Sequence, residues 1–237
     1  MGDEIGVAMR AALTVFAVLL GLVPGLVGAA TVNTFTSEAA FQAAIAQGGG
    51  SVQLETFDDV TDSVSFAETS VTQGDLTFFI DQAAFAGFNT LGPTASGFAF
   101  VNGTGQVTAG ILVGSTLSIS FAGAVTAFFA DFSSLNSLAV PGTPQTQIEL
   151  ILADGTTEIV EVPVAGSSFD DTSFGFTTDI EISVLNFVTV LTSDLFGFDN
   201  VLFGIAEIPV PASLLLILSG LSALAGLGAW RRQGGRV

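Results

Sequence analysis

The sequence predicts an all-β protein. A β-sandwich covers about residues 31–207, opens with one short helix, and lies between an N-terminal signal peptide and a C-terminal transmembrane helix. Three observations predict this. Short runs of alternating apolar and polar residues recur through the middle of the chain, separated by Gly, Asn and Ser. Phenylalanine occurs 22 times, enough aromatic area to build a core in a chain that has no Cys to cross-link it. Charge is segregated: the basic residues are Arg10, Arg231, Arg232 and Arg236, whereas 20 of the 22 acidic residues lie between Glu38 and Glu207.

The elements follow in order. Arg10, just after Met9 (a second candidate start), precedes the apolar run Ala11 to Leu22, and Val23-Pro24-Gly25 then breaks the helix. Val27-Gly28-Ala29-Ala30 offers signal peptidase small residues, with cleavage after Ala29 or Ala30. Ser37 is placed as an N-cap, Glu38 suits the first turn, and Phe41, Ala44 and Ile45 share a helical face that Gly48-Gly49-Gly50 ends. Val52 to Phe57 and Thr116 to Phe121 alternate as half-buried strands do. Val125 to Phe132 is apolar on both faces, as a central strand is. Gln147 to Leu152 and Thr156 to Val162 flank Ala153-Asp154-Gly155, which predicts a hairpin with a type I′ turn. Thr178 to Val184 and Leu195 to Phe203 complete the series. The pairs Phe78-Phe79 and Phe128-Phe129 put one ring on each face of a strand, while Gly103-Thr104-Gly105 and Asp170-Asp171 are placed in turns and loops.

The missing residue types exclude much chemistry. Without His, Cys, Tyr or Lys there is no disulfide, no Cys/His zinc site, no thiol nucleophile, no Schiff base and no His-assisted triad. A net charge of −18 excludes a nucleic-acid partner, which needs clustered basic side chains. Acid–base work would fall to carboxylates alone, as in a glycoside hydrolase, but no local motif marks a pair and the middle domain has no Trp or Tyr to stack a sugar. The expectation is therefore a protein without catalytic residues. Carboxylates also bind hard cations through oxygen, and Glu55, Asp58, Asp59 and Asp62, then Asp170-Asp171, then Asp199-Asn200 are the groups to consider.

The C-terminus is predicted to span a membrane. Residues 212–230 carry no charge, and at ~1.5 Å per residue they reach about 28 Å, close to the ~30 Å hydrocarbon core. Trp230 stands at the interface, and Arg231, Arg232 and Arg236 hold the end on the cytoplasmic side, which places the middle domain outside. Before the span, Pro209, Val210, Pro211 and Ala212 form an extended segment that can enter neither a helix nor a sheet interior. Proline motif, apolar span and terminal arginines, in that order, resemble the PEP-CTERM sorting signal of exopolysaccharide-producing Gram-negative bacteria. Val210 stands where that family has Glu, so the tail is more similar to the VPxPA variant. The resemblance covers Ile208 to about Arg232. It implies an exosortase-type enzyme as partner, a transient membrane anchor, and release to the cell surface or the exopolysaccharide matrix.

The middle domain resembles the ectodomains that often accompany such tails. The similar pieces are residues 41–45 (FQAAI) ahead of Thr56-Phe57-Asp58-Asp59, then residues 125–128 (VTAF), then residues 196–201 (FGFDNV). The resemblance implies a jelly-roll-like sandwich, similar to carbohydrate-binding modules. In those modules calcium commonly joins the first and last strands, which implies a structural calcium held by Asp58 or Asp59 with Asp199. The role implied is structural or binding, with exopolysaccharide as a candidate partner.

Overall fold

The computed structural model describes residues 30–82, 88–93, 105–136, 145–162 and 171–206. The signal peptide, Asp170 and everything from residue 207 onward, including Pro209, Val210, Pro211, Ala212, Trp230, Arg231, Arg232 and Arg236, lie outside the described residues. No helix among the described residues is long and apolar enough to cross a membrane.

The chain runs β1 (Val32–Phe35), α1 (Glu38–Gly48), β2 (Ser51–Glu55), β3 (Val64–Ser65), β4 (Val71–Gln73), β5 (Leu76–Ile80) and β6 (Thr90–Pro93). It continues through β7 (Gly105–Ile111), β8 (Thr116–Phe121), β9 (Ala127–Ser133), β10 (Thr146–Leu152) and β11 (Thr157–Glu161). The last described elements are β12 (Asp171–Thr178), β13 (Ile182–Thr189) and β14 (Asp194–Ile205). Sheet A has the order β1-β12-β9-β14-β7-β6-β3, with β2 branching from β14, and sheet B the order β11-β10-β13-β8-β5-β4. All pairings between these strands are antiparallel. From β7 onward the chain crosses between the sheets at every step except β10 to β11. That yields β7-β14-β9-β12 facing β8-β13-β10-β11, the two interlocked Greek keys of a jelly roll. The β-sandwich expected from the sequence is present.

Phenylalanine fills the space between the sheets. Phe132 and Phe187 meet edge to face with centroids 5.8 Å apart, and Phe187 stacks on Phe198 at 6.0 Å. Phe78 of sheet B reaches Phe198 of sheet A at 6.2 Å. A smaller apolar cluster lies on the outer side of sheet A, where Phe41 and Ile45 of α1 cover Phe129 and Leu202. Phe128 therefore faces the sandwich interior while its neighbour Phe129 faces the helix, and Phe78 is buried while Phe79 is exposed. Ser37 takes the N-cap backbone conformation without a side-chain cap bond, and Gly49, left-handed at φ 81°, ends the helix.

Three expectations are corrected. The hairpin at Ala153-Asp154-Gly155 forms, but its turn is not type I′. Only Gly155 has a positive φ, 84°, and the Asp154 carboxylate instead accepts from the Thr156 backbone N–H (2.9 Å) and Oγ1 (2.6 Å). The Gly155 N–H donates to the Leu152 carbonyl, so the loop has three residues and closes with a left-handed glycine. Thr178 to Val184 is not one strand, because β12 ends at Thr178, whose Oγ1 accepts from the Ile180 N–H (3.2 Å) and turns the chain into β13. Gly105 and Asp171 are not loop residues, since each is the first residue of a strand, β7 and β12.

Candidate functional site

β14 changes partners halfway along one edge. Residues 194–198 pair with β7, and residues 201–205 pair with β2. Between them the register against β9 shifts, and Asn200 adopts a left-handed φ of 50°. Asp199 sits at this bulge. Phe198 points between the sheets, so by strand alternation Asp199 lies on the outer face of sheet A, in register with Asp131 of β9. Asp131 is held on both oxygens: Ser173 Oγ donates to Oδ1 (2.7 Å) and Asn200 Nδ2 to Oδ2 (3.1 Å).

Asp199 is buried, and its Oδ1 receives no hydrogen bond. Burial first, then the negative charges of Asp58, Asp131 and Glu55, push its carboxyl up to about 6, against a hydrogen bond from the Asn200 backbone. No basic side chain exists between positions 11 and 230 to offset this. Glu55 closes β2, and its Oε1 accepts from the Phe57 N–H (3.1 Å). Phe57 itself takes a φ of 55° and carries its carbonyl so close to Gly105 that a Cβ there would overlap it.

The residues singled out in the sequence separate here. Asp58 and Asp199 share one electrostatic neighbourhood. Asp59 turns toward sheet B, where its Oδ1 accepts from Gln73 Nε2 (2.9 Å). Among the described residues no three Asp or Glu side chains form a ready metal-binding group. Asn200 was singled out with Asp199, whereas Asp131 and Ser173 were not anticipated. A carboxylate inside the otherwise apolar run from Val125 to Phe132 was the available signal for Asp131.

The outer face of sheet B is different in character. Among the described elements none packs on it, whereas α1 covers part of the outer side of sheet A. One row crosses five strands in register: Phe79, Ser118, Asn186, Glu149 and Ile159. Ser118 Oγ donates to Asn186 Oδ1 (2.8 Å), which orients the Asn186 amide N–H groups. Phe79 and Ile159 are exposed at the two ends of the row.

No protein-family model matches the chain, and no curated protein matches it. Among solved structures, the chain is similar to the CBM22-1 xylan-binding domain of Xyn10C from Paenibacillus barcinonensis, at 11% identity and a TM-score of 0.36, over 68% of this chain and 97% of that one. It is also similar to the cleaved adhesin domain of Lys-gingipain from Porphyromonas gingivalis, at 14% identity and a TM-score of 0.31, over 65% of this chain and 98% of that one. A two-domain protein of unknown function from Bacteroides fragilis matches at 12% identity and a TM-score of 0.34, over 65% of this chain and 47% of that one.

Proposed function

We propose that this chain is an exported surface or matrix protein, processed at its tail by an exosortase-type enzyme, whose sandwich domain binds polysaccharide without turning it over. The outer face of sheet B, on which no described element packs, carries the binding part of the reading. Its central row combines a hydroxyl, an amide and a carboxylate, which pair with sugar hydroxyls, and the exposed Phe79 and Ile159, which suit the apolar faces of sugar rings. A domain this acidic repels an acidic polymer, so the reading selects a neutral polysaccharide.

The test is affinity electrophoresis of the full-length protein through a panel of soluble neutral polysaccharides. Retardation by at least one polymer is expected, and Phe79→Ala with Asn186→Ala should weaken it about tenfold, ~1.4 kcal/mol. Migration unaffected by every polymer, or retardation equal in the double variant, overturns the assignment of this face.

A second reading concerns calcium. Asp199 Oδ1, buried and without a donor beside Asp58 and Asp131, fits a hard divalent ion, and Asp59, engaged by Gln73, does not. A calcium ion there would neutralise the strand junction. Comparing calcium binding of the wild type with that of Asp199→Asn tests this directly.

A further inference from the structure

Four buried side-chain oxygens lack a hydrogen-bond donor among the described residues: Gln82 Oε1, Gln145 Oε1, Asp194 Oδ1 and Asp199 Oδ1. Asp199 belongs to the junction described above. Of the other three, Asp194 and Gln145 belong to one hydrogen-bonded corner at an end of the sandwich, and Gln82 bonds β7 at Gly110, next to Ile111, the residue in register with Asp194.

The corner can be traced bond by bond. Asp194 opens β14 in register with Ile111 of β7, and it is buried. By alternation with Phe196 and Phe198 its side chain points between the sheets. There its Oδ2 accepts from Thr146 Oγ1 of sheet B (2.5 Å) and from the Asn136 backbone N–H (3.2 Å). The residue before Thr146 grips the residue before Asp194, because Gln145 Nε2 donates to the Ser193 carbonyl. Asn136 ties the same corner, giving Nδ2 to the Thr146 carbonyl (3.2 Å) and taking the Thr146 N–H on Oδ1 (2.6 Å). Thr189, paired with Thr146, donates Oγ1 to the Leu112 carbonyl (2.6 Å). Gln82, buried beyond β5, donates Nε2 to the Gly110 carbonyl (2.8 Å) next to Ile111. These amides and hydroxyls donate within the protein, and the oxygens left without a donor are Asp194 Oδ1, Gln145 Oε1 and Gln82 Oε1.

We propose that this corner is a binding site for a hard, oxygen-seeking cation, held by Asp194 Oδ1 and Gln145 Oε1. A buried carboxylate without a counter-charge is costly, and the chain has no basic side chain between positions 11 and 230 to supply one. Protonation would silence the charge, and burial does raise the Asp194 carboxyl above its ordinary value. Yet the hydrogen bonds from Thr146, Asn136 and the Leu195 backbone oppose that rise, since they favour the ionised form. Burial leaves the carboxylate short of relief, and carboxylate and amide oxygens left without a donor are the atoms that calcium and sodium take. The site is separate from the polysaccharide face and from the Asp199 junction, so it stands or falls independently of both.

The test measures ion binding by the full-length protein. Equilibrium dialysis with radioactive calcium, and sodium-23 NMR relaxation, compare the wild type with Asp194→Asn, Asp199→Asn and Gln145→Glu. Binding of either ion that is lost in Asp194→Asn and kept in Asp199→Asn is the expected result, and which ion is displaced by the other identifies the occupant. Gln145→Glu adds a second carboxylate and should tighten binding about tenfold or more, a gain that a misfolded variant would not show. Absence of binding of both ions in the wild type, binding unchanged in Asp194→Asn, or Gln145→Glu that folds but binds no tighter overturns the proposal.

Discussion

Replacing Asp199 by Asn removes a charge from a buried position while keeping the shape of the side chain. The magnitude follows from the junction. The gap between the ordinary carboxyl value of 3.8 and about 6 corresponds to about 3 kcal/mol at ~1.36 kcal/mol per pH unit. Solvent screening beside the exposed end of β2 reduces this to about 1–2 kcal/mol. The folded-state pKa lies above the unfolded value, so the native state holds the proton more tightly. The penalty is absent below about pH 4, grows through pH 6, and is complete above it. In chelator at neutral pH, Asp199→Asn should therefore be more stable than the wild type by about 1–2 kcal/mol, and the difference should vanish in mild acid. Saturating calcium should reverse the order, because a site at Asp199 gives the wild type RT ln(1 + [L]/Kd), about 2.7 kcal/mol at a hundredfold excess, beyond any gain at Asp194 that the two proteins share. Thermal unfolding of the full-length protein by circular dichroism, across pH and in matched sodium or calcium, reads both effects. A variant less stable than the wild type in chelator at neutral pH would refute the burial argument. Equal calcium responses would refute the calcium reading alone.

Further expectations can be checked with the same unfolding measurements or by mass spectrometry. Phe129→Ala opens a cavity under α1 where Phe41 stacks at 5.2 Å, and should destabilise by about 3–5 kcal/mol, lowering the melting temperature by roughly 10 °C. Gly105→Ala should destabilise by at least about 1–3 kcal/mol because its Cβ meets backbone, the Phe57 carbonyl, rather than a yielding side chain. The mature surface protein should lack peptides beyond about Ala212, and Pro209→Ala with Pro211→Ala should retain precursor in the membrane; recovery of Arg231 peptides from the surface fraction would count against tail processing.

The parts of the fold that were legible in the sequence are those whose signal is local. The helix was marked by its capping position and its glycine stop, β9 by a run apolar on both faces, and the hairpin by Asp154-Gly155. β7 was not legible. It begins at Gly105 and is rich in small residues, and it is a strand because Val107, Ala109 and Ile111 fit beneath the interior of the sandwich against β14. The candidate sites show the same division. Asp58 or Asp59 was paired with Asp199 through the resemblance noted for the middle domain, whereas Asp131 joins Asp199 only through a register set across β9 and β14. Asp194 carried no sequence signal, because its neighbours Asn136, Gln145 and Thr146 reach it from elements 48 to 58 residues away, counting those whose bonds to it are direct.

The segregation of charge gives these separate observations a common cause. A folded domain ordinarily answers a buried carboxylate with an arginine or a lysine, and this one holds neither between positions 11 and 230. Among the described residues both buried carboxylates, Asp194 and Asp199, lie on β14, the strand that pairs with β7, β9 and β2 and therefore ties sheet A together. Relief of their charge must come from outside the protein, as a proton or as a cation. With no Cys, no cross-link can compensate if that relief fails. On the cation readings proposed above, the ions of the medium then act on the strand that precedes in sequence, by a few residues after Ile205, the Pro209–Pro211 segment proposed to be processed. Withdrawing the cation should loosen β14 before the Phe-packed strands of sheet B. Hydrogen exchange of the full-length protein in chelator tests this: amides of residues 194–205 should lose protection ahead of those in β10 and β13, and uniform loss across both sheets would show that neutralisation at β14 is not what limits stability.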